Sequence, residues 1–382
     1  MSQPRPFRVD VPHSKLDAIR CRLRASTFPP EPDDADDWSY GSQTVFLRRF
    51  VTYWTDVYDW EAAQARLNSW PQFTARIDGL DIHFYHVRGS GNGRALILTH
   101  GWPGSTLEFM GMIERLAFPG RYGGDAASGF DLVIPSLPGY GFSQAPLRPI
   151  GPRRIASMWR YLMADVLGYR QFGAQGGDWG SAVSTFLGAD HGDVVTGIHL
   201  NMVAALSRPE ENSSSQAVKA YWRALRNVQS RSFGYHQVQT ETPQAIAAAL
   251  SDSPLGYAAW VLEKFNAWSD APQGLEQRFG LDALVTNLMI TLVNDAVATS
   301  IWLYRGRAIE ASGGAYAGVR VDVPTGVAQF PGEFIPYPPR ALAERTYNVT
   351  RWTKMPTGGH FAALEEPEIL SDEVREFFAA IL

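Results

Sequence analysis

Residues 173–183 read GAQGGDWGSAV, in which a carboxylate, Asp178, stands at the centre of a G-x-D-x-G pattern. The pattern has the outline of G-x-S-x-G, a strand–turn–helix elbow that lifts a nucleophilic side chain above a sheet. A strand-like run precedes these glycines and a helical pattern follows them, as such an elbow requires. Because an Asp among glycines is also common in ordinary turns, Asp178 is a candidate nucleophile that needs partners elsewhere.

A second glycine- and proline-rich segment, HGWPGS at His100 to Ser105, ends an apolar strand-like run. The corresponding loop of α/β-hydrolases supplies a backbone N–H to the oxyanion hole. Taken alone, the segment is equally compatible with a turn at the end of a strand. Its position upstream of the elbow favours the catalytic interpretation.

The base and its acid partner should follow the elbow, because α/β-hydrolases arrange nucleophile, acid and histidine in that order. His360 follows two glycines in PTGGHFAALEEP, in the last loop of the chain. The acid is either Glu333, in VAQFPGEFIPYPPR, or Asp322, which alternates like a solvent-facing strand residue. The residue pattern favours Glu333 and leaves Asp322 open.

A carboxylate nucleophile indicates substitution at an sp³ carbon. A serine that attacked such a carbon would form an ether, which water does not readily cleave. A carboxylate would form an ester, whose carbonyl can be attacked by water that the histidine activates. Asp178 in this setting therefore indicates alkyl transfer from an epoxide or from an alkyl halide.

The leaving group separates these two substrate classes. A halide leaves as an anion and needs N–H donors, whereas the oxygen of an opening epoxide needs a proton or a hydrogen-bond donor. Tyrosine, with a pKa of about 10, suits the second task. Tyr235 in SFGYHQVQ and Tyr304 in SIWLYRGRA have suitable positions in the chain, with simple packing as the alternative for either.

The order of the segments predicts an α/β-hydrolase fold with a mostly parallel sheet, a helical cap insertion and an N-terminal helical arm. Strand-like runs alternate with helical patterns after Gly79, stop between Val203 and Tyr304, and then return. We therefore divide the chain into an arm with two helices (1–80), a first core part (81–202), a helical cap (203–304) and a second core part (305–382).

Motifs along almost the whole chain resemble those of the microsomal-type epoxide hydrolases, which include juvenile hormone epoxide hydrolases and bacterial relatives. They include PFRVDVP, TFPP and IDGLDIHFYHVR near the N-terminus, and HGWPGS, IPSLPGYGFS, GGDWGS, VPTGVAQFPGEF and GGHFAALEEPE in the core. The resemblance implies an enzyme that adds water to an epoxide and gives a vicinal diol through an ester of the nucleophile. It implies no metal and no organic cofactor.

The resemblance also implies roles for individual residues. By it, Asp178 is the nucleophile and His360 the base, and the FPGEF segment makes Glu333 the acid partner in preference to Asp322.

Tyr235 and Tyr304 match the two tyrosines that polarise the epoxide in this family. The backbone N–H groups of Trp102 and Trp179 match its oxyanion hole, and the bond before Pro103 is expected to be cis. Five aromatic residues are candidates for the substrate pocket, with packing between cap and core as the alternative: Trp222, Phe233, Trp260, Phe265 and Trp268.

The composition and the first residues limit the possible binding partners and the cellular location of the protein. The formal net charge is −5, so no basic footprint indicates nucleic acid. Cys21 is the single cysteine, which excludes an intramolecular disulfide and a CxxC site. The first residues lack the apolar segment of a signal peptide or of the anchor in membrane-bound relatives, so we expect a cytoplasmic protein without a membrane anchor.

Two other functions remain as alternatives. A haloalkane dehalogenase would share the Asp nucleophile and need a halide-binding donor in place of the tyrosines. A non-catalytic binding protein of the same fold would be expected to lack a triad member. The sequence leaves open a homodimer, the natural epoxide, and a setting in detoxification or natural-product biosynthesis.

Overall fold

The computed structural model describes residues 3–34, 38–91, 93–203 and 214–381. Across these ranges nine strands form one sheet. The strands are β1 (Arg5–Phe7), β2 (Gln72–Ile77), β3 (Leu80–Val87), β4 (Ala95–Thr99), β5 (Asp131–Pro135), β6 (Phe172–Gly176), β7 (Val195–Leu200), β8 (Val321–Gln329) and β9 (Tyr347–Lys354). Their order across the sheet is β1-β2-β3-β5-β4-β6-β7-β8-β9.

The pairing of the strands changes at β5. The neighbours β1, β2, β3 and β5 pair antiparallel, whereas the pairings from β5 through β4, β6, β7 and β8 to β9 are parallel. All residues of β4, β5 and β6 are buried, as expected for parallel strands that helices cover on both faces. The predicted α/β-hydrolase fold with a mostly parallel sheet is confirmed.

Helices cover the sheet and build the rest of the described chain. The α-helices within those ranges are α1 (His13–Arg24), α2 (Thr44–Asp56), α3 (Trp60–Leu67), α4 (Met110–Ala117), α5 (Pro152–Arg160), α6 (Asp178–Asp190), α7 (Gln216–Ser232), α8 (Gly234–Glu241), α9 (Pro243–Asp252), α10 (Pro254–Trp268), α11 (Leu275–Phe279), α12 (Leu281–Leu292), α13 (Val297–Ser300), α14 (Trp302–Ser312), α15 (Arg340–Ala343), α16 (Ala362–Glu365) and α17 (Pro367–Ala379). Short 3₁₀ turns occupy Thr106–Phe109, Pro119–Tyr122 and Ala126–Ser128, and a π-helical turn at Tyr161–Val166 continues α5.

The residues before β3 form more than the two predicted helices. α1 and α2 occupy the segments in which apolar spacing predicts helices, and α3 is a third helix that the Asp59 side chain caps by accepting the N–H of Ala62. β1 and β2 extend the core sheet. The N-terminal region is therefore part of the sheet as well as a helical arm packed against the body.

The chain leaves the sheet after β7 and returns to it at β8, and α7 to α14 occupy the interval. α14 crosses the boundary expected at residue 304, because it continues to Ser312. The N-terminal helical region braces this cap: the buried hydroxyls of Tyr58 and Thr286 lie 2.9 Å apart, and Tyr53 donates to Asp282 at 2.7 Å.

Within the described ranges, no single helix has the length and apolar character needed to cross a membrane. Two sharply bent helix pairs reach that length and composition together, namely α9 with α10, and α12 with the segment Val297–Ser312.

Candidate active site

The ends of β4 and β6 bring the two glycine-rich loops together. In the sheet register Thr99, the last residue of β4, lies opposite Gly176, the last residue of β6. The loop that starts at His100 and the elbow at Asp178 therefore leave the same carboxyl edge of the sheet. Open α/β sheets bind their ligands at this edge.

Asp178 stands on a strained turn that its glycine neighbours make possible. Its φ is 45°, in the left-handed region that residues other than glycine adopt at an energetic cost. A Cβ on Gly176 would collide with the backbone of Gly180, and a Cβ on Gly180 would collide with the carbonyl oxygen of Thr99. The G-x-D-x-G spacing is thus required by the close packing of the elbow against β4.

His360 lies between two carboxylates. Its Nδ1 is 3.0 Å and 2.9 Å from the two carboxyl oxygens of Glu333, and its Nε2 is 3.4 Å from Oδ2 of Asp178. The side chains of Glu333 and His360 are buried, and 20% of the Asp178 side chain is exposed. The alternative acid, Asp322, lies on the surface beside Arg320, with 86% of its side chain exposed.

The two carboxylates set the charge of the imidazole. Burial alone would lower the pKa of His360, but the charges of Glu333 and Asp178 and its contacts with them raise that pKa well above the usual value. Among the described residues Nε2 makes no hydrogen bond, since the 3.4 Å separation from Asp178 is too long for a good one. The carboxylate and the imidazole therefore attract each other without forming a good hydrogen bond.

The loop after β4 directs a backbone donor at the nucleophile. Trp102 donates its N–H to Oδ1 of Asp178 at 2.8 Å, and its bond to Pro103 is cis, as predicted. The N–H of Trp179 makes no hydrogen bond to the Asp178 carboxylate in the part of the chain described. Oxyanion-hole donors are aimed at the future oxyanion and not at the resting oxygen. The structure thus brings one of the two predicted donors into contact and leaves the other adjacent.

A residue of the cap fixes the loop that carries Trp102. Asn287 in α12 donates its amide to the carbonyl oxygen of Pro103 at 2.9 Å and accepts the hydroxyl of Ser105 at 2.9 Å. On the core side, buried His100 accepts the N–H of Leu137 at 3.2 Å through Nε2. The loop is therefore held from both the cap and the sheet.

Two tyrosines of the cap stand over Asp178. Tyr235 in α8 stacks on Trp102 with ring centroids 5.5 Å apart, and Tyr304 in α14 meets Trp179 edge to face at 4.8 Å. Both tyrosines are buried and line one cavity together with Asp178. Burial raises both pKa values well above the usual value, and the two rings meet edge to face with centroids 5.9 Å apart. Both groups are thus kept protonated as donors.

Comparisons with known proteins show the family to which the chain belongs. Residues 4–109 match the model of the epoxide hydrolase N terminus, and residues 94–235 match that of the alpha/beta hydrolase fold. Over 379 residues the chain is 39% identical to a protein of Stigmatella aurantiaca that is provisionally named an epoxide hydrolase, covering 98% of this chain and 84% of the relative. The chain belongs to the epoxide hydrolase family.

Solved structures of the epoxide hydrolase family superpose closely on this chain. The epoxide hydrolase of Aspergillus niger is 30% identical, with a TM-score of 0.86 over 100% of this chain and 97% of that one. The juvenile hormone epoxide hydrolase of Bombyx mori is 27% identical, with a TM-score of 0.88 over 100% and 95% of the two chains. The resemblance predicted from the motifs is confirmed.

The cavity over Asp178 has a volume of about 530 Å³. Of the five aromatic residues predicted to line it, Trp222 and Phe233 do so. Much of the remaining wall is apolar or aromatic, including Phe186, Phe334 and Ile335. Among the residues that the structure describes, no group of three or more His, Cys, Asp or Glu side chains is placed to hold a metal ion.

The prediction for the other three aromatic residues requires correction, because they pack outside the cavity wall. Trp260 donates to Gln239 at 3.0 Å, and Phe265 stacks on Phe361 with centroids 4.1 Å apart. Trp268 meets the His360 ring edge to face at 5.1 Å. Trp268 thus supports the site from behind, as a packing residue against the imidazole.

Sequence reasoning missed two polar residues at the site. His236, next to Tyr235, lines the main cavity and packs its ring 5.2 Å from that of Tyr304. Glu108, in the 3₁₀ turn after the HGWPGS loop, lies on the opposite side of Asp178. In the sequence, Glu108 is marked only by its position five residues after Pro103. The pattern of the surrounding segment predicts a helix and does not indicate a site residue.

Proposed function

We propose that this chain hydrolyses an epoxide in two steps, through an ester on Asp178, and releases a vicinal diol. The observation that carries the proposal is the position of Asp178 between two sets of groups. Tyr235 and Tyr304 line the cavity on one side of the carboxylate, and His360 with Glu333 lies on the other.

In the first step a carboxylate oxygen of Asp178 attacks an epoxide carbon. Trp102 holds Oδ1, so Oδ2 is the oxygen free to attack. The carbon–oxygen bond of the epoxide breaks, and its electron pair passes to the epoxide oxygen. That oxygen takes a proton from the pair Tyr235 and Tyr304, which later regains one from water. Because burial keeps both tyrosines protonated, they are donors at neutral pH.

Esterification prepares the second step by removing a charge. An ester at Asp178 is neutral, so it no longer raises the pKa of His360. The imidazolium then loses its proton to solvent more easily, and the neutral imidazole is available to take one from water. Glu333 keeps the ring oriented through Nδ1. The same imidazole is therefore paired with the nucleophile before alkylation and free to act as a base after it.

In the second step water attacks Cγ of the ester and gives a proton to Nε2 of His360. The oxyanion that forms lies at the N–H groups of Trp102 and Trp179, the latter at the N-terminus of α6, where negative charge is favoured. Collapse breaks the bond between Cγ and the alkyl oxygen, and His360 returns the proton to the diol. The Asp178 carboxyl group now contains one oxygen from water and releases the second proton of that water, which balances the proton that the tyrosine pair regains.

The cavity favours an apolar epoxide of substantial size. Its volume of about 530 Å³ falls within the range that holds drug-sized ligands, and its wall is mostly apolar. Trp222 and Phe233 give it flat faces suited to an aryl or extended alkyl group.

Two variants test the proposal with styrene oxide as substrate. Asp178→Asn should abolish turnover, and His360→Gln should form the ester and fail to hydrolyse it. The intact mass of the protein should then increase by the mass of one epoxide. After digestion, this increase should be found on the peptide that contains Asp178. Asp322→Asn, at the exposed alternative acid, is the matched control and should keep full activity. Full activity of Asp178→Asn, or no adduct in His360→Gln, would overturn the proposal.

The dehalogenase alternative is tested in the same preparation. The two tyrosines favour an epoxide, because an alkoxide needs a proton and a halide does not. Chloride release from a haloalkane, without diol from any epoxide, would favour the dehalogenase. Tight binding of epoxides without turnover would favour a non-catalytic binding protein.

A further inference from the structure

Asp178 separates two cavities. The large one, described above, contains both tyrosines, whereas a much smaller one of about 10 Å³ lies behind the carboxylate. The small cavity is lined by His360, Glu108, Asn201 and residues of the loop after β4. Among the residues that the structure describes, Asp178 alone lines both cavities. A volume of roughly 10–15 Å³ is what one water molecule needs. The small cavity therefore has room for about one water, and the epoxide reaches Asp178 from the opposite side.

Glu108 is placed in this small cavity by two features of its loop. The 3₁₀ turn Thr106–Phe109 starts at Ser105, whose hydroxyl caps it by accepting the N–H of Leu107. Gly104 leaves the space that the Glu108 carboxyl fills, since a Cβ there would overlap Oε1 of Glu108. The carboxyl is thus folded back over its own loop, toward the nucleophile.

The charge of Glu108 responds to the groups that react. Burial raises its pKa to about 8; the His360 charge lowers that pKa, the Asp178 charge raises it, and a backbone hydrogen bond from Gly101 lowers it. In the ester state Asp178 no longer raises this pKa and a neutral His360 no longer lowers it, so burial remains the main effect on the Glu108 carboxyl.

We propose that Glu108 is a positioning residue that holds the hydrolytic water in the small cavity, between His360 and Cγ of Asp178. This inference rests on the two-step function proposed above. Water gives one proton to Nε2 of His360 and donates a hydrogen bond to the Glu108 carboxyl with the other. Its lone pair then faces Cγ, so that the new bond forms on the side of Asp178 away from the alkyl group.

The arrangement separates the two substrates of the reaction. Water enters on the side of Glu108 and His360, and the epoxide occupies the side of the tyrosines. A bulky alkyl ester in the large cavity therefore does not displace the water that must hydrolyse it.

The test follows the two steps separately by rapid quench and intact mass. In Glu108→Ala, ester formation should keep the wild-type rate and ester hydrolysis should slow about 100-fold, the loss expected when a reacting group is misplaced by about 1 Å. The ester should accumulate, and kcat and KM should fall together while kcat/KM stays constant. A merely structural role would instead lower the rate of ester formation and kcat/KM.

Two further variants distinguish chemistry from folding. Glu108→Gln keeps the volume and a carbonyl oxygen that accepts from water, so it should recover a large part of the hydrolysis rate. Gly104→Ala leaves Glu108 unchanged but takes its space, and should slow hydrolysis as Glu108→Ala does. Glu114→Ala, at an exposed glutamate in α4 that pairs with Arg121, is the control and should leave both steps unchanged.

The outcomes separate this inference from the function on which it rests. An ester that accumulates in His360→Gln but not in Glu108→Ala would overturn the role of Glu108 and leave the two-step reaction standing. Equal slowing of both steps in Glu108→Ala and Glu108→Gln would also overturn it. If no ester forms in any variant, the proposed function itself fails.

Discussion

Removal of the hydroxyl of Tyr235 or Tyr304 should slow formation of the ester without affecting its hydrolysis. Both tyrosines are buried and line the cavity together with Asp178, and their rings meet edge to face with centroids 5.9 Å apart. In the first step the epoxide oxygen develops charge, whereas in the second the charge develops on the other side of the carboxylate. The two tyrosines therefore stabilise the first transition state only.

The size of the effect follows from the strength of one hydrogen bond to a charged oxygen. Such a bond contributes about 1.5–3 kcal/mol, which corresponds to roughly 10- to 150-fold in rate. Because Tyr235 and Tyr304 serve the same oxygen, the remaining hydroxyl compensates in part for the missing one. We expect about 10- to 100-fold slower ester formation in each single Phe variant, and a loss in the double variant larger than the product of the two.

Rapid quench with detection of the ester measures this rate directly. Tryptophan fluorescence offers a continuous signal, since Trp102 stacks on Tyr235 and Trp179 meets Tyr304. Tyr316→Phe is the matched control, because Tyr316 lines the same cavity and packs against Phe186. Ester formation at the wild-type rate in the double variant would refute the assignment of the tyrosines.

Three other changes should have distinct effects. Glu333→Gln should lower the pKa of His360 and slow ester hydrolysis by about 10²-fold or more, measured in single turnover. Asn287→Ala should leave the carbonyl of Pro103 without its donor and lower the free energy of unfolding by about 1–3 kcal/mol in denaturant titration. Burial, with a smaller effect of neighbouring His100, lowers the pKa of His83 from 6.5 to about 3. Protonation of His83 therefore favours the unfolded chain. The free energy of unfolding should fall as the pH drops from 6.5 toward 3. His83→Gln should reduce that fall in Tm.

Much of the fold is predictable because each strand of the core has a local signal. The runs that end at Thr99 and Gly176 are short, apolar and closed by glycine, and parallel pairing then brings their loops together. β1 and β2 lack such a signal, since β1 is a three-residue edge strand that pairs with β2, and β2 joins the core sheet by pairing with β3. Their place in the sheet comes from tertiary structure.

The candidate site is predictable where a motif fixes the backbone and unpredictable where packing decides. Asp178, Glu333 and His360 come together as the loop order predicts, although their catalytic roles stay predictions. An apolar helix does not reveal which of its faces meets a cavity, so Trp222 lines the wall while Trp268 packs behind it. The position of Glu108 at the site can be recognised only in the folded structure, because the space that Gly104 leaves for its carboxyl depends on the three-dimensional path of the loop.

The covalent ester is tested most directly by one turnover in ¹⁸O-labelled water with enzyme in excess over epoxide. The account predicts that the first diol contains no ¹⁸O, because its new oxygen comes from the Asp178 carboxylate. The label should instead appear in the peptide that contains Asp178, and only later turnovers should carry it into the diol. Labelled diol in the first turnover, with an unlabelled Asp178 peptide, would show direct attack of water on the epoxide and contradict the account.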